Sequence, residues 1–205
     1  MKPDYWEEAR RHLLLNDKIL GKIISQYHGE TLTVRGDAFF TLARSIVGQQ
    51  ISVKAADSVW KKFESCLQKI IPQNLLAKSE DELRSCGLSA QKIRYLNGLS
   101  QYFIDNNEQI QNWLELSDDE IIAELSKISG IGRWTAEMFL IFHLARPDVL
   151  PLADIGLQKA IFRHYNDNQK MPLATIFELG KKWVPYRSVA SWYLWRSLDP
   201  VPVAY

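Results

Sequence analysis

Two features of the sequence carry residue types that could do chemistry: a Gly-x-Gly turn and a carboxylate that follows it. Residues 128–132 read Ile-Ser-Gly-Ile-Gly. The two glycines allow a tight turn that exposes consecutive backbone amides, and a helix that begins after Gly132 adds the positive end of its dipole. Such amides bind phosphate groups. A plain helix-to-helix turn has the same spacing, so the motif alone leaves both interpretations open.

The carboxylate is Asp154, 22 residues after Gly132. It ends the segment 146–154 (RPDVLPLAD), which two prolines stiffen and which leads into another helical pattern. An aspartate in this place serves many helices simply as the N-cap. The spacing alone therefore does not separate a functional carboxylate from a capping one.

The elements that must position these residues are helices, because apolar residues recur at i, i+3 and i+4 through most of the chain. The predicted helices cover residues 5–15, 18–27, 39–47, 52–67, 72–76, 79–85, 89–106, 118–126, 133–144, 154–165, 175–183 and 188–197. One alternating run, residues 31–35, could form a strand but is too isolated to define a sheet. The pattern predicts an all-α protein of stacked helical layers.

Length and composition exclude several classes of protein. A chain of 205 residues is long enough for one or two domains with a sizeable core. Its two cysteines, Cys66 and Cys86, are too few for a Cys-ligated iron–sulfur cluster or a four-Cys zinc site, and they suit a reducing compartment. The histidines have no metal-ligand spacing. No apolar run reaches 18 residues and the N-terminus is charged, so we expect a soluble intracellular protein without membrane contact.

Charge is unevenly distributed although the net charge is only +1. Residues 105–126 contain seven acidic side chains and no Lys or Arg, so the rest of the chain carries 25 basic and 17 acidic side chains, a net charge of +8. A positive face of that kind attracts polyanions. The alternative is that the acidic segment is an ordinary solvated helix face, and the segregation alone does not separate the two.

Three blocks of the sequence together resemble the helix-hairpin-helix, Gly/Pro-loop, Asp superfamily of DNA base-excision glycosylases, and within it the AlkA-type DNA-3-methyladenine glycosylase II branch. The blocks are Ser45–Ser52 (SIVGQQIS), Gly130–Ala136 with Asp148–Asp154, and Trp183–Ser188 (WVPYRS) with Trp195. The resemblance implies an all-α fold of two helical subdomains flanking a DNA-binding cleft, with no N-terminal β domain.

The same resemblance implies how the single glycosylase domain, residues 1–205, is divided. About residues 36–144 would hold the helical bundle and the hairpin, and residues 1–35 plus 145–205 would form the second subdomain. The acidic segment 105–126 would then lie away from the DNA cleft.

The resemblance implies a monofunctional DNA glycosylase that excises alkylated purines, of the 3-methyladenine and 7-methylguanine class, from double-stranded DNA. Asp154 is then the catalytic carboxylate, because a fixed anion stabilises the oxocarbenium charge that develops on the sugar and can orient the attacking water. Asp148 also matches but lies at the entrance of the loop, where we expect a structural role. Some relatives attack with a Lys two residues after the second hairpin glycine. Trp134 occupies that position here, so we expect hydrolysis without AP lyase activity.

Further roles follow from the same motifs. Trp134 and Trp195 would attract the cationic base through stacking and cation–π contact, with Met138 either lining that pocket or packing in the core. Gln50 matches the intercalating plug that fills the gap left by a flipped base, although a polar residue in a turn would also satisfy the pattern. The DNA backbone would contact the hairpin at Lys127, Gly130, Gly132, Arg133 and Thr135.

The resemblance requires no cofactor and no iron–sulfur cluster. The backbone carbonyls of Ser126, Ile128 and Ile131 match those that bind a structural Na⁺ or K⁺ in the family. We expect a monomer, in the cytoplasm with the nucleoid if the source is bacterial and in the nucleus if it is eukaryotic. Two other functions stay open: a non-catalytic helix-hairpin-helix DNA-binding protein, and a glycosylase for deaminated bases such as hypoxanthine.

Overall fold

The computed structural model describes residues 1–34 and 37–198, and every regular element within them is a helix. The α-helices are α1 (Trp6–Asn16), α2 (Lys18–Ile24), α3 (Ala38–Gly48), α4 (Val53–Leu67), α5 (Pro72–Leu76), α6 (Glu80–Ser85), α7 (Ala90–Asp105), α8 (Asn107–Gln111), α9 (Asp118–Leu125), α10 (Arg133–Phe142), α11 (Ile155–Tyr165), α12 (Leu173–Gly180) and α13 (Arg187–Arg196). Two 3₁₀ helices cover Trp113–Glu115 and Lys181–Trp183. The prediction of an all-α fold is confirmed.

Local capping chemistry sets several helix starts. Ser79 and Glu82 form a capping box at the start of α6, and Ser117 and Glu120 form a second one at the start of α9. In each box the serine hydroxyl accepts the amide of the third helical residue and the glutamate accepts the serine amide, so two N–H groups without intrahelical partners are satisfied. The capping signals were therefore sufficient to place these two ends.

The structure differs from the predicted elements in three places. The α8 helix and the first 3₁₀ helix were missed, because a polar stretch of one or two turns has no clear apolar period. The predicted helix 175–183 begins earlier, at Leu173 after Pro172, and tightens to a 3₁₀ turn at Lys181. The possible strand forms no ladder within residues 31–34; Val34 pairs with Met1 through two hydrogen bonds of 3.0 and 3.1 Å. Arg35 lies outside the described residues.

The described residues form two compact units. The terminal unit comprises residues 1–34 and 140–198, and the central unit comprises residues 37–139. The chain passes from the central to the terminal unit within α10. Each unit has its own buried side chains.

The core of the terminal unit is built around α13, which is buried from Ser188 to Arg196. A helix that is buried on all sides belongs to the centre of a domain. The rings of Trp6, Trp192 and Tyr193 pack against each other with centroids 4.9–5.6 Å apart. This aromatic cluster fixes α13 against α1 and therefore fixes the helix that carries Trp195.

The core of the central unit contains a row of aromatic rings that pack edge to face. Phe39, Phe103, Trp113 and Phe139 succeed each other at centroid separations of 5.4–5.9 Å. Such pairs add about 0.5–1.5 kcal/mol each beyond the burial of apolar area. The row links α3, α7, the first 3₁₀ helix and α10.

Candidate active site and nucleic-acid interface

Asp154 lies at the N-cap of α11 in the terminal unit. Its Oδ1 accepts hydrogen bonds from the Leu157 amide at 2.6 Å and from the Trp195 indole Nε1 at 2.7 Å, and the residue is 8% exposed. Two N–H donors and the positive end of α11 complement a negative charge. The capping role that the sequence allowed is present. The indole contact, 41 residues away in the chain, is an addition that capping does not require.

Trp195 holds this carboxylate through its N–H group and is 7% exposed. One face of its indole stacks on Phe142, with ring centroids 5.8 Å apart and planes inclined by 25°. The sequence predicted an open stacking surface for a base; the structure shows a packed ring that orients Asp154. Its stacking on a base stays a prediction.

Gly156 provides space at this contact. A Cβ atom at Gly156 would lie 3.1 Å from Asp154 Oδ1 and 3.3 Å from Trp195 Cδ1, so a larger residue would press on the hydrogen-bonded pair. Sequence reasoning missed Gly156 and Phe142. A glycine in the first turn of a helix is only a weak signal, and Phe142 looks like any apolar residue of α10.

The loop that delivers Asp154 is held by the Trp183–Ser188 block. Arg187 makes two hydrogen bonds to the Asp148 carboxylate, Nε to Oδ1 at 2.7 Å and Nη2 to Oδ2 at 2.9 Å. Ser188 Oγ donates to the Arg146 carbonyl and accepts the Val149 amide. A bidentate pair of this kind fixes geometry as well as charge. Asp148 therefore has the structural role that its place in the loop suggested.

The Gly-x-Gly turn in the central unit connects α9 to α10 as a hairpin. We call residues 126–132 the hairpin. Gly130 has φ +90°, and a Cβ there would lie 2.4 Å from the ring of Tyr95, so both the backbone and the neighbour require glycine. The Ile131 amide donates to the Ile128 carbonyl at 3.0 Å and closes the turn. A Cβ at Gly132 would meet nothing within 4 Å, so its role is not steric.

The basic residues predicted to contact phosphates lie beside acids. Lys127 pairs with Glu124, and Arg133 lies 3.0 Å from Glu137 and 3.9 Å from Asp119. We expected the acids of segment 105–126 to lie away from such a surface, but α9 ends where the hairpin begins and brings Asp119 and Glu124 to it. Glu137 is a buried partner of Arg133. The contacts of Lys127 with Glu124 and of Arg133 with Asp119 involve exposed cations and are worth little, about 0–1 kcal/mol each. Such weak contacts would allow a phosphate group to compete with the acids for Lys127 and Arg133.

Other predicted residues vary in exposure. Thr135, a predicted DNA contact, is 5% exposed, so its side chain is not presented on the surface. Met138 is 2% exposed and belongs to the core, which was the alternative to a pocket role. Trp134 is half-buried in the first turn of α10. Gln50 is exposed between α3 and α4 and has φ +59°, a left-handed conformation.

A cavity of about 510 Å³ in the central unit adjoins the hairpin. It is lined by the whole hairpin together with Gln49, Gln50, Ser89, Gln91, Lys92 and Tyr95. Ser126, Ile128 and Ile131, whose carbonyls the sequence suggested for a monovalent cation, all border it. Carbonyl oxygens are ligands that hard cations accept, and the Ile128 carbonyl keeps a second lone pair beyond its bond to Ile131. Cation binding there stays a prediction. Within residues 1–34 and 37–198, no group of three or more His, Cys, Asp or Glu side chains could hold a metal ion.

The fold and the two sites define a class of protein: a helical protein with a glycine hairpin in one unit and a buried, indole-bound aspartate in the other. Residues 43–185 match the family described as HhH-GPD superfamily base excision DNA repair protein. The chain belongs to this superfamily.

Individual relatives agree with the family. The chain is 32% identical to DNA-3-methyladenine glycosylase 1 of Schizosaccharomyces pombe over 187 residues, 89% of this chain and 82% of that protein. The crystal structure of a DNA-3-methyladenine glycosidase from Bacillus halodurans superposes with a TM-score of 0.84 at 30% identity, covering 94% of this chain and 89% of that one. A Schizosaccharomyces pombe 3-methyladenine DNA glycosylase in complex with abasic DNA gives a TM-score of 0.80 at 28% identity, covering 97% and 100% of the two chains.

Within residues 1–34 and 37–198, no helix has the length and apolar character needed to span a bilayer.

Proposed function

We propose that this protein is a monofunctional DNA glycosylase that removes alkylated purines, such as 3-methyladenine and 7-methylguanine, from double-stranded DNA. The proposal rests on membership of a base-excision repair family and on relatives named as 3-methyladenine glycosylases. The observation that carries the mechanism is the Asp154 carboxylate, which receives two N–H donors at the N-terminus of α11. That arrangement keeps an anion in a fixed place before the reaction begins.

The chemistry follows from the leaving group. An alkylated purine carries positive charge, so its departure from the sugar needs no proton from the enzyme. Cleavage of the N-glycosidic bond leaves positive charge on the sugar, and a fixed carboxylate stabilises this charge without the cost of reorganisation. Water then adds to the sugar carbon and loses its proton, with Asp154 as the base. One carboxylate suffices for both steps.

The catalytic role of Asp154 can be separated from its capping role, because the terminal unit contains a second aspartate with similar contacts. Asp17 caps α2, is 6% exposed and accepts an indole N–H from Trp183 at 2.9 Å. We expect Asp154→Asn to lower the rate of methylpurine release from methylated DNA by at least about 100-fold, since removing one preorganised electrostatic group costs 10²–10³ in kcat. Asp17→Asn should lose stability but keep its rate per folded molecule.

The measurement is the release of methylated purines under single-turnover conditions, with thermal unfolding of both variants. Equal activity of Asp154→Asn and wild type would overturn the assigned mechanism. Binding of DNA without release of any damaged base by wild type would instead favour a non-catalytic DNA-binding protein. A panel that includes hypoxanthine tests the deaminated-base alternative, because a neutral base gains less from an aromatic face.

A second test concerns the nucleophile. Trp134 occupies the position where a Schiff-base lysine would stand, so the proposed reaction forms no imine with the sugar. We expect sodium borohydride to trap no covalent complex with lesion-bearing DNA, and the abasic product to stay uncleaved. A borohydride-stable adduct on denaturing gels would reveal an amine nucleophile and contradict the monofunctional assignment.

A further inference from the structure

Two long-range hydrogen bonds in the central unit fix the turn that carries Gln50. Lys92 Nζ donates to the Val47 carbonyl at 2.7 Å, and Gln49 Nε2 donates to the Gly130 carbonyl at 2.8 Å. The first bond connects the turn after α3 to the start of α7, and the second connects it to the hairpin. The partners are 45 and 81 residues apart in the chain, so neither bond is a local consequence of helix geometry.

Lys92 acts at the C-terminal end of α3. The last carbonyls of a helix have no intrahelical partner and carry partial negative charge, which a cation complements. Lys92 is half-buried, and this burial lowers the pKa of its ammonium group. A lysine that gives up hydration in this way has a fixed place, unlike the exposed Lys127 at the hairpin.

Gln50 follows directly after these anchors. Its φ of +59° is a conformation that side-chain-bearing residues adopt rarely unless the surroundings hold them there. The anchors at Val47 and Gln49 lie on the side of the turn that precedes it. Gln50 is therefore exposed, has a strained backbone and follows two long-range hydrogen bonds. This combination indicates that the turn holds Gln50 in a defined position and does more than connect α3 to α4.

We propose that Gln49 and Lys92 are positioning residues that hold the 48–50 turn against the hairpin. With the turn held in this way, insertion of Gln50 into DNA and binding of the hairpin to the DNA backbone occur together. This inference rests on the proposed function. Neither residue touches the reacting atoms. Without the hydrogen bonds of Lys92 and Gln49, the turn would relax from its strained conformation. Gln50 would then have to be ordered each time the protein binds a duplex that lacks a base.

The test compares binding to a duplex that contains a tetrahydrofuran abasic analogue with binding to the same undamaged duplex. Lys92→Met and Gln49→Glu remove a donor while keeping the size of each side chain. We expect each to weaken abasic-duplex binding about tenfold, the effect of one buried hydrogen bond, and undamaged-duplex binding less than twofold. Lys92→Arg should restore most of the affinity. Gln91→Met is the matched control, because Gln91 lines the same cavity and donates to Tyr95 within α7.

A double-mutant cycle with Gln50→Ala distinguishes positioning from general destabilisation. If the anchors act through Gln50, then Gln50→Ala has little further effect in the Gln49→Glu background. Fully additive losses, or wild-type affinity of both anchor variants, would overturn the proposal. So would a wild-type protein that does not prefer the abasic duplex. Because these binding experiments require no base release, they stay separate from the test of glycosylase activity, which can fail or succeed independently.

Discussion

At the scale of single residues, the terminal unit contains the same side-chain arrangement twice. A buried aspartate caps a helix and receives an indole N–H at both Asp154 and Asp17, yet the two sites differ in their surroundings. Asp17 Oδ2 accepts from Tyr165 as well as Trp183, and its Oδ1 accepts two amides, so the carboxylate is saturated with donors. Four donors suit a structural anchor. At Asp154, Oδ1 accepts the Leu157 amide and the Trp195 indole N–H.

Trp195 supplies both the indole donor to Asp154 and a ring that stacks on Phe142. The Trp195→Phe variant keeps an aromatic ring against Phe142 but removes the donor to Asp154. Hydrogen bonds to charged groups contribute about 1.5–3 kcal/mol, so we expect kcat to fall about 10- to 100-fold with little change in KM. Trp183→Phe, which removes the matching donor to Asp17, should lower the unfolding temperature but not kcat. The same kcat for wild type and Trp195→Phe would show that the indole contact only stabilises the fold.

At the scale of elements, the hairpin depends on the helix beneath it. The α7 helix supplies Tyr95, whose ring occupies the space where a side chain at Gly130 would project. It also supplies Lys92, which holds the end of α3. The two motifs that the sequence presents as separate blocks are therefore supported by one helix between them, and α7 itself carries no recognisable motif.

The two hairpin glycines provide a prediction with an internal control. Gly130→Ala would bring a Cβ to 2.4 Å from Tyr95 and place alanine at φ +90°, whereas a Cβ at Gly132 meets no atom within 4 Å. Strain of the left-handed backbone costs about 1–2 kcal/mol and overpacking about 1–3 kcal/mol more. We expect Gly130→Ala to lower stability by about 2–5 kcal/mol and Gly132→Ala by much less. Chemical denaturation measures both, and equal losses would show that the close approach of Tyr95 is not the cause.

At the scale of the whole molecule, a net charge of +1 does not prevent binding to DNA, because the interaction depends on where the charges lie. The segregation of acids into segment 105–126 was expected to leave a free basic surface. In the structure, Glu124 instead forms an ion pair with Lys127 at the hairpin. The hydrogen bond from Lys127 lowers the pKa of Glu124. If Lys127 contacts the DNA backbone as predicted, phosphate competes with this carboxylate, and we expect weaker binding to undamaged duplex.

That competition can be measured. Glu124→Gln releases Lys127, so we expect affinity for undamaged duplex at low salt to rise about two- to fivefold, the range for an exposed pair. Glu108→Gln is the control, because it makes the same change in net charge from an exposed position on α8. Lys127→Ala should reduce the slope of log K against log salt by about 1. An equal rise in duplex affinity for the two glutamine variants would mean that the net charge of the protein is the cause, and not the ion pair of Glu124 with Lys127.

The sequence by itself determined the helical class, the capping boxes, the hairpin glycines and the place of Asp154 at a helix start. All of these depend on local rules: the apolar period, the partners of the first helical amides, and the freedom of glycine. It did not determine the partners of those residues. The bonds of Trp195 to Asp154, Gln49 to Gly130 and Lys92 to Val47 join atoms 41 to 81 residues apart, and such contacts follow from tertiary packing, which no local pattern encodes. For the same reason only the tertiary structure decided that Trp195 is a packed ring that holds the carboxylate, and that Asp119 lies near Arg133.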